Sequence, residues 1–368
     1  MTVGIVGAGQ LGRMLALAGY PLGLDFLVLD PAADAPAGQV APQLRGAFTD
    51  RRLLTALARR CTVVTFDWEN VSAASLRAIA GAHGARICPP VAALAAAQDR
   101  VAEKRLFERL RIPTTRWRAV GTRAQLTRAI ATIGLPGVLK TRRMGYDGKG
   151  QAVLHTADDV ERGWRRLAGV PLIYEEFVPF DCEVSVIGAR STRGEIAVYP
   201  LCGNVHAHGI LRLTRAPYGP AAWQQLAARY LRQVLRRFRY TGILTIEFFL
   251  RGGRLIANEM APRVHNSGHW TIEGADTSQF ENHLRAVLGL PLGSTRARGH
   301  SAMVNLIDCV PERQRLLRFP GLHLHDYGKQ QRPGRKVGHC TLVEASAARR
   351  DARALELLRE LAVAVRIP

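Results

Sequence analysis

Lysine is scarce in this chain of 368 residues: five of its 51 basic residues are lysine and the rest are arginine. Where any positive charge would do, the sequence uses arginine. A lysine that persists marks a place suited to a compact, rotatable ammonium rather than a planar fork. Long apolar runs are missing as well. None approaches the ~20 residues of a membrane-spanning helix, so no membrane association is expected. The six cysteines, Cys61, Cys88, Cys182, Cys202, Cys309 and Cys340, form no CxxC pair. That argues against a zinc site or a disulfide frame and for reduced thiols in a cytoplasmic protein. Met1–Val6 opens directly into a strand pattern with no basic segment before it, so a secretory signal is not expected.

Acidic residues are also in short supply, 30 against 51 basic, for a net charge of +21. Such an excess invites a nucleic-acid reading. Basic stretches such as 229–239 match no known nucleic-acid motif, however, and the surplus reads as an arginine bias spread over all surfaces. Nucleic acid is therefore not an expected partner, whereas anionic small molecules need only local charge. At 47% hydrophobic and 22% charged the chain is globular, with length enough for two or three domains.

What lysine there is lies mostly in two glycine-bearing windows: Lys140 and Lys149 within 140–150, Lys329 and Lys336 within 329–336. These are the first places to look for phosphate chemistry. Around them the hydrophobic pattern divides the chain. Residues 1–95 alternate strands (Val3–Val6, Phe26–Leu29, Cys61–Phe66) with helices, as in a parallel, Rossmann-like α/β sheet. Pro89-Pro90 closes this part, and a single helix is expected over Ala92–Leu110. A smaller unit over about 115–178 contains the glycine loop. The strands Glu183–Ile187, Ile196–Pro200, Ile243–Leu250 and Arg254–Met260 suggest an antiparallel sheet, with helix Ala221–Arg237 between them. A small β-rich segment, 299–368, ends in a helix over Ala347–Leu361.

Three local patterns carry chemistry. Gly7-x-Gly9-x-x-Gly12 follows a strand, opens a helix and has Asp30 after the next strand. This is a dinucleotide-binding fingerprint, which makes an NAD-dependent dehydrogenase one hypothesis. The same loop could instead hold another ligand's phosphate or ribose, or be a tight packing turn. The second pattern is Gly145-Tyr146-Asp147-Gly148-Lys149-Gly150 after a strand ending in Lys140. It lacks the Ser/Thr and the following helix of a Walker loop, and reads as a strand–loop–strand flap whose N–H groups converge on phosphate.

The third is a hairpin flanking Arg251-Gly252-Gly253. A three-residue loop would set Glu247 opposite Glu259; a two-residue Gly-Gly turn would set Glu247 opposite Asn258. The former register is expected, because two carboxylates in an apolar hairpin need a partner. Magnesium bridging to phosphate is one; salt bridges to arginine are the other. The donor-rich loop 261–270 follows. His265 and His269 there could bind a metal on a helix, but Pro262, Asn266 and Gly268 argue for a loop, and the pair His206 and His208 lacks a third ligand for zinc.

Together, Lys140, the GYDGKG loop, Glu175-Glu176-Phe177-Val178, Glu183, Glu247 and Asn258-Glu259 resemble the ATP-grasp superfamily. GQLGRM (9–14), GYDGKGQ (145–151), APRVHNSGHWT (261–271) and RPGRKVGH (332–339) resemble, in order, the N5-carboxyaminoimidazole ribonucleotide synthase family of purine biosynthesis. The resemblance implies ATP-grasp architecture: a pre-ATP-grasp domain over 1–95, an ATP-grasp domain over 96–298 with a lid over about 115–178, and a C-terminal domain over 299–368. It implies a ligase that activates bicarbonate with ATP as carboxyphosphate and carboxylates 5-aminoimidazole ribonucleotide. Another ATP-grasp purine enzyme, such as the formate-dependent glycinamide ribonucleotide transformylase, is the alternative within the class.

By the same resemblance, ATP would contact Arg100, Lys140, Gly145, Tyr146, Asp147, Gly148, Lys149, Gly150, Gln151 and His206. Glu175, Glu176, Phe177 and Val178 would line the adenine, with Glu183 at the ribose. Glu247 and Glu259 would carry two magnesium ions, with Asn258 nearby. Arg263 would stabilise carboxyphosphate and Asp147 would serve in catalysis. The ribonucleotide would meet Gln10, Leu11, Glu69, His265, Asn266 and Ser267, its phosphate Lys329, Arg335 and Lys336. One departure is Asp67, where relatives more often carry Glu, so a substrate contact there is in question. The family suggests a cytoplasmic homodimer.

Overall fold

The computed structural model describes all residues except Gly84, Tyr146, Asp147, Lys149 and residues 364–368. In the first part β1 (Thr2–Val6), β2 (Asp25–Asp30), β3 (Gln43–Arg45) and β4 (Val63–Phe66) form a parallel sheet in the order β3-β2-β1-β4. The central strands are buried on both faces, which is why they read as continuous apolar runs rather than alternating ones. Helices α1 (Gln10–Gly19), α2 (Arg51–Arg60) and α3 (Ala73–His83) connect or flank them. Asp50 caps α2 by accepting from the N–H groups of Arg52 and Leu53.

The single helix expected over 92–110 is two, α4 (Val91–Ala97) and α5 (Arg100–Arg109). Asp99 breaks it. Its carboxylate accepts from Val101 and Ala102 N–H at 3.0 and 3.4 Å and so caps a new helix. Arg142 and Arg143 hold the same carboxylate at 2.7 and 3.2 Å. The break gives α5 its own N-terminus, with Arg100 in the first turn.

The next unit is an antiparallel sheet, β5-β8-β6-β7, built from β5 (Trp117–Val120), β6 (Gly137–Thr141), β7 (Gln151–Leu154) and β8 (Leu172–Glu176). Its helices α6 (Arg123–Ile133) and α7 (Ala157–Leu167) both start in capping boxes, Thr122 with Gln125 and Thr156 with Asp159.

The remaining strands make one antiparallel sheet. They are β9 (Cys182–Arg190), β10 (Ile196–Val198), β11 (Cys202–Ala207), β12 (Ile210–Ala216), β13 (Gly242–Arg251), β14 (Arg254–Ala261), β15 (His300–Ile307), β16 (His323–Asp326) and β17 (Lys336–Glu344). The order is β14-β13-β9-β11-β12-β15-β17-β16, with β10 against β9. Helix α8 (Ala221–Arg237) packs on β9 and β13; α9 (Thr271–Gly274) and α10 (Gln279–Leu288) follow the hairpin. Helices α11 (Arg313–Leu317) and α12 (Ala347–Glu360) lie near the end. The hairpin β11–β12 was not foreseen. It turns on His208 and Gly209, both at positive φ, and β12 joins the central strands to β15. The sheet therefore runs unbroken across residue 299.

Candidate functional site

The hairpin β13–β14 turns on Gly252 and Gly253, with φ of +51° and +75° and Arg251 paired to Arg254. This is a two-residue turn, not the three-residue loop expected. Alone it would pair Glu247 with Asn258. A bulge intervenes: Phe248 pairs with Ala257 and Glu247 with Glu259, leaving Asn258 as the extra residue. The expected carboxylate pair is present, reached by a different route.

These carboxylates face a cavity of about 560 Å³ whose wall draws on all three sheets. An arginine, one of the two expected partners, meets Glu259, while a histidine that was not expected meets Glu247. Arg100 Nη1 lies 3.0 Å from Glu259, and His265 Nε2 lies 3.1 Å from Glu247. Burial pushes the Glu247 carboxyl up, but the His265 hydrogen bond and the charges of His265, His206 and Lys336 win, holding it at about 2. Asn258 Oδ1 and both amide atoms of Asn266 are buried with no hydrogen-bond partner among the described residues. Two carboxylates beside an unpartnered amide oxygen suit a hard, oxygen-seeking divalent cation. Behind them Glu103 is fully buried and accepts from Met260 N–H at 2.6 Å. Burial first, then the charge of Glu259, raises it to about 8.

At one end of the cavity Lys140 is buried against Glu175 at 3.2 Å. Glu175 is 1% exposed and also meets Lys104 at 3.2 Å and Thr115 Oγ1 at 2.9 Å. Burial opposes its charge, yet Lys104, Lys140 and Arg100 hold it far below the usual carboxylate range. Phe180 and Phe249 stack at 4.8 Å on the same wall, beside Val138, Val153, Phe177 and Val178. Glu183 accepts from or shares a proton with His206 Nδ1 at 2.6 Å. Burial lowers the His206 pKa, and the Glu183 carboxylate more than reverses that.

At the other end lies the glycine fingerprint, and its donors are already taken. Gly9 and Gly12 N–H donate to Asp67 Oδ2 at 2.7 and 3.1 Å, and Ala8 N–H to Asp30 at 2.9 Å. A pyrophosphate would have to displace two carboxylates, so this loop is not a dinucleotide cradle. Gly7 (φ +100°) has its own reason: a Cβ there would sit 1.8 Å from Asp67 Oδ1. Burial raises Asp67 to about 6, against the two loop N–H groups that lower it. Gln10 Oε1 accepts from Lys329 at 2.5 Å, and Arg263 pairs with Glu69 at the same end.

Three family models match successive parts of the chain. They are described as the ribonucleotide synthetase preATP-grasp domain (residues 1–98), the ATP-grasp domain (105–280) and the phosphoribosylaminoimidazole carboxylase C-terminal domain (301–353). The N5-carboxyaminoimidazole ribonucleotide synthase of Pseudomonas aeruginosa is 49% identical over 357 residues, 97% of this chain and 98% of that protein. The chain belongs to the N5-carboxyaminoimidazole ribonucleotide synthase family. The Bacillus subtilis synthase is 37% identical over 93% of this chain and 91% of its own length. The crystal structure of the Thermus thermophilus synthetase matches with a TM-score of 0.92 at 49% identity, covering 100% of this chain and 99% of that one. The Aspergillus clavatus synthase, crystallised with ADP and 5-aminoimidazole ribonucleotide, matches with 0.91 at 31% identity over 98% of each chain.

Most residues singled out by resemblance to this synthase family converge on the one cavity. Its wall includes Gln10, Leu11, Glu69, Arg100, Lys140, Gly145, Gly148, Gln151, Glu175, Glu176, Phe177, Val178, Glu183, His206, Glu247, Asn258, Glu259, Arg263, His265, Asn266 and Lys336. Tyr146, Asp147 and Lys149 lie outside the described residues. Others stand back from the wall. Ser267 is fully buried and bonds His265 Nδ1 at 2.9 Å and Ser185 at 2.7 Å, so it supports His265 from behind. Gly150, at φ +73°, closes the loop through its carbonyl, which accepts from Thr141 N–H at 2.8 Å. Arg335 donates to the Gln330 carbonyl at 3.2 Å.

The sequence alone did not point to Phe48, Trp68, Phe180 and Phe249 on the wall, or to Lys104 behind it. Lys104 alone carried a visible signal, as the one lysine outside the two glycine-bearing windows.

Proposed function

We propose that this chain carboxylates 5-aminoimidazole ribonucleotide, using bicarbonate and ATP and giving N5-carboxyaminoimidazole ribonucleotide, ADP and phosphate. The observation that carries the reading is 49% identity over 97% of the chain to a synthase of that name. A bicarbonate oxygen attacks the γ-phosphorus, the bond to the β–γ bridging oxygen breaks, and ADP leaves with that electron pair. The exocyclic amine then attacks the carboxyl carbon of carboxyphosphate. Phosphate departs with the C–O electron pair, and the amine nitrogen gives up a proton.

The roles are those that the family resemblance implies. Lys140 and Arg100 meet the phosphates, and Arg263 neutralises carboxyphosphate. Two magnesium ions, held by Glu247 and Glu259 with Asn258 beside them, would neutralise phosphate charge when bound. Lys336 and Lys329 meet the ribonucleotide phosphate, as does Arg335; Gln10, Leu11, Glu69, His265 and Asn266 meet the remainder. The resemblance assigns Tyr146 and Lys149 to ATP and Asp147 to catalysis. The same reading makes the protein a cytoplasmic homodimer divided at about residues 95 and 298, a division supported by the family matches to 1–98, 105–280 and 301–353.

Bicarbonate labelled with ¹⁸O tests the chemistry. One label per turnover should appear in the released phosphate, only with 5-aminoimidazole ribonucleotide and ATP present. Unlabelled phosphate would exclude carboxyphosphate. ADP release supported by formate and glycinamide ribonucleotide instead would favour the transformylase alternative.

A further inference from the structure

Lys104 is 0% exposed in a chain that puts arginine almost everywhere else. Its ammonium is surrounded by acceptors: Thr114 Oγ1 at 2.9 Å, the carbonyls of Asn258 and Ala257 at 3.0 and 3.3 Å, and Glu175 at 3.2 Å. The two carbonyls belong to the bulge of β14. Bulge residues lose ladder partners, and a buried carbonyl left without a donor is costly, so the bulge needs a donor from outside the sheet. Three rotatable N–H groups on one small head suit acceptors arrayed around a point; a planar guanidinium does not. The opposite side of the same ammonium neutralises Glu175, which holds Lys140.

We propose that Lys104 is a positioning residue that fixes the carboxylate pair. By holding the bulge at Ala257 and Asn258 it keeps Glu259 opposite Glu247, and through Glu175 it ties that spacing to Lys140. It touches no substrate; its effect reaches the reaction through the cation that the pair binds. The inference rests on the proposed reading of Glu247 and Glu259 as cation ligands.

The test is calorimetry of ADP binding, with and without magnesium, on Glu175→Gln and on the double variant Lys104→Met/Glu175→Gln, which removes both buried charges together. In the unaltered protein magnesium should tighten ADP binding; if it does not, the reading of the carboxylate pair fails first and independently. Given that it does, adding Lys104→Met should weaken the magnesium-dependent component about tenfold, the scale of a lost charge-assisted hydrogen bond, and magnesium-free binding by less than about threefold. Equal weakening in both conditions, or none, would overturn the inference. Thr114→Val keeps the shape and changes no charge, while removing the hydroxyl that donates to the Ala257 carbonyl at 2.7 Å. If the double variant does not fold, this variant decides. Its magnesium-dependent binding should weaken about threefold with magnesium-free binding unchanged, and an unaltered magnesium effect would overturn the inference.

Discussion

Glu247 stands opposite Glu259 because Asn258 is the extra residue between Ala257 and Glu259 on the facing strand. Side chains on paired strands alternate between faces, so a one-residue slip would send one carboxylate to the other side of the sheet. Glu247→Gln removes one carboxylate of the pair while leaving the two strands able to form the hairpin. The expected outcome is loss of at least about 100-fold in turnover, as for loss of a group stabilising transition-state charge. The partner variant, Glu259→Gln, should lose as much, with a far-ultraviolet circular dichroism spectrum like that of the unaltered protein. Near-normal activity of Glu259→Gln would mean that the cation is held elsewhere.

Asp67 gives a prediction in pH. Its pKa is raised in the fold from 3.8 to about 6, chiefly by burial. The folded state thus holds this proton more tightly than the unfolded chain. The stability it contributes is complete below about pH 4 and is lost as pH rises through about 6, a difference of at most about 3 kcal/mol. Asp67→Asn keeps an oxygen to accept from Gly9 and Gly12 but cannot ionise. Denaturant melts at pH 4 and pH 8 should show the variant gaining on the unaltered protein at the higher pH. A constant difference between the two would refute the buried-carboxylate account.

The same glycine loop shows how far sequence could go. The residue spacing of a dinucleotide site was plain in Gly7, Gly9, Gly12 and Asp30. What decides against it is that Asp67, from another strand more than fifty residues on, accepts the loop's N–H groups. That is a tertiary fact with no local trace. The carboxylate pair was legible for a comparable reason in reverse: burial demanded a partner for each acid, even though the turn length was misjudged. The break at Asp99 could have been read from an Asp preceding a fresh apolar pattern. The β11–β12 hairpin was not read, because His208 at its turn was considered only with His206, as a possible ligand pair lacking a third ligand. Collinear motifs carried the family; the aromatic wall of Phe48, Trp68, Phe180 and Phe249 comes from four separate segments and left no spacing to read.

Asp99 ties helix α5 to the segment leading into the glycine loop through Arg142 and Arg143. Asp99→Ala removes a helix cap and should cost about 1–2 kcal/mol in chemical denaturation. Because Arg100 follows directly and reaches Glu259, the KM for ATP should rise as well, while the ribonucleotide KM stays within about twofold. An unchanged melting midpoint would show that the cap carries little of the helix break.

Lys329 and Lys336 reach the ribonucleotide end in different ways, and the difference is measurable. Lys336 is on the cavity wall, whereas Lys329 is held 2.5 Å from Gln10 Oε1 and stands over the Tyr327 ring. Lys336→Ala should raise the ribonucleotide KM by about tenfold or more, the scale of a charge-assisted phosphate contact, and leave the ATP KM nearly unchanged. Lys329→Ala should raise it less, and part of that rise should pass through Gln10. In a double-mutant cycle, then, Lys329→Ala should have a smaller effect once Gln10 is already Ala. Full additivity would separate the two side chains and leave Lys329 acting on the phosphate alone. An unchanged ribonucleotide KM in both lysine variants would remove this end of the cavity from phosphate binding altogether.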